Sequence, residues 1–356
     1  MGPRRRLLIG FIALMAGFLL WAYAEESPIS PVAWTPPPPA PELAPNDALA
    51  RAEWFLKDLE GPEAVTFDSQ GRLLTGTKDG RVLRMEADGG LELLVNTGGR
   101  PLGMEYGPDG VLYVCDARKG LLGLDADGGL TELATTEGGD PFKFVDDLSI
   151  AKDGTVFFTD ASARNSIDRF VHDLLEHRTT GRLLEYSPAT KTVKRVASGF
   201  SFANGVALAP DESWVVLAET GAYRLWKIPV RGEKVGQKEP FGDPLPGFPD
   251  NVTWDPGTQR FYVAIGSPRS RSMDALAGSP RLRGLVPRLP PSWQPKPARI
   301  AQVLVFDLEG KLVRSLLHDS PDSYSPIASA EVHDGWLYLG SFKQFGLARV
   351  KLETAR

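Results

Sequence analysis

The feature that most constrains this chain is a unit that recurs six times beyond residue 50. Each copy has a small or polar triplet, an alternating apolar strand, an Asp-Gly or Pro-Asp turn, and a second apolar strand. The units open at Pro62, Pro101, Val145, Ala203, Pro249 and Ile327, and their turns include Asp109-Gly110, Asp153-Gly154, Pro210-Asp211 and Asp334-Gly335. Period-two patterning with tight turns predicts antiparallel strands, and a repeat of about 40 to 50 residues matches a four-stranded blade. The expectation is an all-β fold, a six-bladed β-propeller over residues 50–356. A strand at 56–59, ahead of the first unit, is expected to complete the last blade, because ring closure removes exposed edges.

Two intervals are long for one blade, 145 to 203 and 249 to 327, so insertions are expected near 162–180 and 267–299. In the first, Ile167, Phe170, Val171, Leu174 and Leu175 fall on one helical face and predict a short amphipathic helix. The second is rich in Pro and Arg and reads as an ordered lid with little regular structure.

At the N-terminus, Arg4-Arg5-Arg6 precedes an apolar run from Leu7 to Ala24 and then Glu25-Glu26. Such a run spans about 27 Å, near the thickness of a bilayer core. Residues 1–24 therefore read as a transmembrane signal anchor, or as a signal peptide cleaved after Ala22-Tyr23-Ala24. Either reading places the folded part outside the cytoplasm. Residues 25–49 carry Pro28, Pro31, Pro36 to Pro39, Pro41 and Pro45, which favour an extended, stiff spacer between membrane and propeller.

Inner strands of a propeller start at one mouth of the central channel, so the triplets form a ring: Glu63, Leu102, Asp146 with Asp147, Asn204, Asp250 with Asn251, and Ala328. Oxygen donors at four blade starts, with no Lys or His among them, suit a hard cation. Ca²⁺ is favoured over Mg²⁺, which prefers a rigid octahedron of waters. Glu63, Asp146, Asn204, Asp250 and Asn251 are the candidate ligands. Gly205 beside Asn204 is expected to leave room for close approach to an ion. Capping of strand ends by Asx turns is the competing reading of each residue singly.

The runs Gly181-Arg182-Leu183-Leu184-Glu185-Tyr186, Phe202-Ala203-Asn204-Gly205-Val206-Ala207-Leu208 and Pro246-Gly247-Phe248-Pro249-Asp250-Asn251-Val252 resemble the strictosidine synthase-like family, as does His333-Asp334-Gly335-Trp336-Leu337-Tyr338-Leu339-Gly340-Ser341-Phe342. Related calcium-dependent lactonase propellers, the gluconolactonases and paraoxonases, place Glu, Asn and Asp ligands at starts similar to Glu63, Asn204 and Asp250. What this resemblance implies is a cation at the channel mouth polarising an ester or lactone carbonyl, with Asp146 as candidate base and Asp250 as the second catalytic carboxylate. Two departures are visible. Pro101-Leu102-Gly103 offers no counterpart of the paraoxonase histidine, and the strictosidine synthase glutamate falls at Ala328, so amine-aldehyde condensation is not expected. Glu331, three residues on, should face the other way.

Other chemistries find little support. Cys115 is alone, which excludes an intramolecular disulfide, and a buried apolar role is expected for it. His172 and His177 are five apart on the inserted helix, off metal-ligand spacing, and read as solvated; His333 reads as structural. No Gly-x-Ser-x-Gly elbow occurs. Asn251-Val252-Thr253 is a formal glycosylation sequon without room for a glycan. The net charge of -5 is small and interspersed, so nucleic acid is not an expected partner. The sequence thus points to a small ester or lactone as substrate and to membrane contact through the N-terminal segment. The alternative is a non-catalytic propeller that binds a ligand or protein around a structural metal.

Overall fold

The computed structural model describes residues 26–294 and 298–352, together with scattered positions before residue 18. The expected anchor or signal segment lies largely outside the described residues. Among the described residues no helix is long and apolar enough to cross a membrane.

Six four-stranded antiparallel sheets follow one another along the chain. Their inner strands are Thr66–Phe67, Pro101–Tyr106, Val145–Ile150, Ala203–Leu208, Gly247–Asp255 and Ser329–His333. Blade six takes its outermost strand, Glu53–Glu60, from the other end of the chain, paired with Phe345–Lys351. The expected closing strand is present and extends beyond 56–59.

Second strands in each blade are buried on both faces, which is why they read as unbroken apolar runs. Alternate residues serve opposite neighbours: Phe157 packs toward blade four, while Phe158 packs toward blade two. Apolar clusters lie between every pair of adjacent blades, including blades six and one through Leu73, Val65, Tyr338 and Leu347. Cys115 is fully buried in the cluster between blades two and three.

The insertions build a lid over one face. The first forms a 3-10 turn, Ile167–Arg169, and the helix Phe170–Glu176; Ile167, Phe170 and Leu174 cover the blade-start residues Leu102, Phe144 and Phe202. Val171, expected on that apolar face, instead points outward and is 49% exposed. The second insertion holds more regular structure than expected, with short helices at Arg271–Ala275 and Pro280–Arg283.

The proline-rich segment is extended, as its composition requires, but it does not stand off as a spacer. It lies along the lid and then along blade five. Ser30 N–H donates to Glu176 Oε1 at 2.8 Å, and Val32 N–H donates to the Glu176 carbonyl at 2.9 Å. Trp34 stacks on His177 at 3.8 Å, Arg269 reaches the carbonyls of Pro37 and Pro38, and Asn46 bonds Ser315 O. Prolines leave carbonyls unpaired and sterically open, so arginines on the lid can satisfy them. His177 is accordingly buried, not solvated.

Candidate functional site

In blades two to five strand pairing is interrupted at the channel mouth, between Pro101 and Met104, Val145 and Leu148, Ala203 and Val206, and Pro249 and Val252. A bulge leaves two consecutive residues without strand partners, so simple alternation fails and both can reach the interior. The ring therefore has two levels. Glu63, Asp146, Asn204 and Asp250 belong to the mouth, with Leu102 and Ala328 at equivalent positions. Ala64, Gly103, Asp147, Asn251 and Ser329, one residue further along, line a cavity below.

All four polar mouth residues are buried. Burial pushes the Asp146 carboxyl well above the usual range, and the nearby Glu63, Asp250 and Asp147 carboxylates push it further. Asp250 is raised by the same combination of burial and Glu63, while a hydrogen bond from the Asn204 side chain opposes the shift. The structure thus brings Glu63, Asp146, Asn204 and Asp250 together. Asn251 sits one level lower, 4% exposed, which also leaves its sequon without room for a glycan.

Arg100 was not anticipated. Its Nη2 meets Glu63 Oε2 at 2.8 Å and its Nη1 meets Gly61 O at 2.9 Å, with both charged side chains buried. Burial raises the Glu63 carboxyl, and Arg100 pulls against that rise. Two residues before the mouth position, blades three, four and five carry Phe144, Phe202 and Phe248, whereas blade two carries Arg100. That break in an aromatic pattern was the available signal.

A cation is tested here by the donors. Asn204 Oδ1 and Asn251 Oδ1 are buried without a hydrogen-bond partner, which a folded protein ordinarily avoids. Asp146 and Asp250 are buried carboxyls whose charges oppose one another, and the Arg100 guanidinium that favours ionised Asp146 is itself paired to Glu63. Among the described residues no three carboxylate, imidazole or thiolate groups lie close enough to hold an ion by themselves, so the amide oxygens would have to contribute. Neutral amide and carboxylate oxygens together suit Ca²⁺ in charge and donor type. Gly205 does not serve an ion as expected: a Cβ there would lie 2.4 Å from Val252 N and 2.5 Å from Asn251 Cα. It permits the close approach of blades four and five.

Below the mouth, the channel widens into a cavity of about 520 Å³, bordered by Glu105, Asp147, Ser149, Thr253, Glu331 and His333. Burial raises Glu105 to about 8, against a backbone hydrogen bond from Ile150, and raises Asp147 to about 7, against the N–H groups of Val206 and Leu148. Glu331 is driven well above its ordinary value by burial and by Glu105. Ala328 is fully buried outside this cavity, so the two residues do face differently, and the nearest acid belongs to the lower chamber.

Fold and site define a six-bladed propeller with an oxygen-rich channel mouth under a lid. Residues 146–233 match the family model described as strictosidine synthase, and residues 41–85 match strictosidine synthase-like, N-terminal. The chain is 33% identical over 357 residues to adipocyte plasma membrane-associated protein of Rattus norvegicus, covering 92% of this chain and 94% of the relative. Protein strictosidine synthase-like 6 of Arabidopsis thaliana is 35% identical over 302 residues, covering 83% of this chain and 80% of that protein. The chain belongs to the strictosidine synthase-like family. Its fold is also that of a gluconolactonase from Xanthomonas campestris (TM-score 0.62, 20% identity, 93% of this chain and 99% of that one). The calcium-binding protein regucalcin from Agrobacterium tumefaciens is similar as well (TM-score 0.58, 14% identity, 83% and 90%).

Proposed function

We propose that this protein is a calcium-dependent hydrolase of small lactones or aryl esters, acting outside the cytoplasm at the channel mouth. The observation that carries the reading is the buried, unpartnered amide oxygen of Asn204 at the same level as the buried carboxyls of Asp146 and Asp250, with a second unpartnered amide oxygen, that of Asn251, one level below. Glu63, Asp146, Asn204, Asp250 and Asn251 would hold the ion, which when bound supplies Lewis-acid polarisation of a carbonyl. Asn204 orients the Asp250 carboxylate through its hydrogen bond. Asp146 is the candidate base: burial and the neighbouring carboxylates make it hold a proton when no cation is bound, and beside a bound cation it would be ionised and able to take a proton from an attacking water. Arg100 fixes Glu63, and the apolar lid over Leu102 excludes bulk water from the mouth. The gluconolactonase and regucalcin likeness supports the reaction class. The name of the rat relative supports a membrane location, with the N-terminal segment as anchor or signal.

The test is a panel of lactones and aryl esters assayed with calcium and with chelator, together with bound-metal analysis of wild type and Asn204→Ala. Loss of calcium and hydrolysis together in the variant is expected. Equal calcium content in both proteins after exhaustive dialysis would remove the site assignment. One observation favours the non-catalytic alternative: the Arg100 guanidinium supplies countercharge from within, as a structural ion pair would. In that case calcium would change thermal stability without any turnover.

A further inference from the structure

We propose that the lid face rests on an anionic membrane surface, with Trp293, Leu282 and Val171 at the bilayer interface and the lid arginines on lipid phosphates. Segment 267–299 contains six arginines and one lysine against a single aspartate, in a chain whose net charge is -5. The remainder of the chain is correspondingly acidic, so an anionic surface would attract this face and repel the body behind it.

Three large apolar side chains are exposed on the same lid: Trp293 at 50%, Leu282 at 48% and Val171 at 49%. Singly each would be unremarkable, but here they accompany exposed Arg271, Arg281 and Arg169. Mixed Trp, Leu and Arg surfaces suit the headgroup boundary, where rings and aliphatic stems enter and charged ends stay wet.

The sequence that precedes the lid favours a bilayer over a protein partner. Residues 1–25, with the apolar run Leu7 to Ala24, lead directly onto this face. Ser27 Oγ bonds Gly284 O at 2.9 Å, Arg169 bonds Pro28 O at 3.0 Å, and Ile29 is buried with Leu175 and Val286. Given the membrane location proposed above, an apolar run that entered the bilayer so close to the lid would hold that face at high effective concentration over the lipid. The lid is also rigid: fully buried Arg283 bonds Leu175 O at 2.9 Å, Ala277 O at 2.7 Å, and Val32 O. Exposed arginines are thus presented from a fixed platform.

The experiment is hydrogen exchange on the full chain reconstituted into phosphatidylcholine bilayers and into bilayers containing phosphatidylglycerol. Exchange across 278–293 should slow by at least about tenfold on the anionic bilayer, while the outer strands of blade one are unaffected. Combined Arg271→Glu, Arg281→Glu and Arg299→Glu should abolish the difference, and the same three positions changed to Lys should retain it. The Lys variant controls for folding, as does an unchanged thermal transition. Equal protection on both bilayers, or protection that survives the Glu changes, would overturn the proposal. Neither readout depends on calcium or turnover, so the outcome is independent of the hydrolase reading.

Discussion

Arg100 sets the charge balance of the mouth. Its removal would leave Glu63 buried beside two further carboxyls, and breaking a buried pair costs about 3–5 kcal/mol. Arg100→Met should therefore lower the unfolding free energy by that amount in chelator, measured by urea titration. If the mouth holds a cation, excess calcium should restore part of the loss; a purely structural pair predicts the same loss in both. Glu105 gives a pH signature. Its carboxyl is raised to about 8 in the folded protein from an ordinary value near 4.5, so the folded state binds the proton more tightly. The stabilisation is complete below the unfolded value and is lost as pH rises through 8. Stability should fall between pH 5 and pH 9, and Glu105→Gln should flatten that slope. Oxygen donors at four blade starts were legible in the sequence because strand starts of a propeller converge. Arg100 was not, because it precedes the triplet, and nothing in spacing alone shows a side chain turning back across the mouth.

At the scale of elements, the bulges explain what the sequence could not supply. Period two predicts that Asp146 and Asp147 point in opposite directions, yet interrupted pairing between Val145 and Leu148 gives both an interior role on separate levels. Gly205 marks the same constraint between blades, and Gly205→Ala should cost about 1–3 kcal/mol from overpacking against Asn251 and Val252, read from the denaturation midpoint. Residues 26–49 were legible as extended because prolines fix the backbone. Their docking was not legible, since it depends on arginines more than a hundred residues away, such as Arg178 to Ser30 and Arg269 to Pro38. Arg283→Met would strip the carbonyls of Val32, Leu175 and Ala277 of their partner. Limited proteolysis should then cleave within 27–38 at least about tenfold faster, because one unmet buried polar group costs about 1–3 kcal/mol, with the blades remaining resistant.

For the whole molecule, the sixfold repeat was readable because each blade repeats the same turn chemistry and strand pattern. Closure was readable too, since one orphan strand ahead of six units has only one vacant edge to fill. A chain beginning at residue 62 should lack the outer strand of blade six and form aggregates through Phe345–Lys351, whereas one beginning at 47 should remain soluble; size-exclusion chromatography distinguishes the two.

That closing strand also has a consequence in time. Glu53 and Arg349 are hydrogen-bonded partners 296 positions apart, one made early in synthesis and the other almost at its end. The strand that seals the ring must wait, unpaired, while five blades and most of a sixth leave the ribosome. Blades assemble along the growing chain, but the circle cannot shut until translation is nearly over. During that interval the protein is an open arc with a sticky edge at each end, and any factor that delays its misassembly would act there.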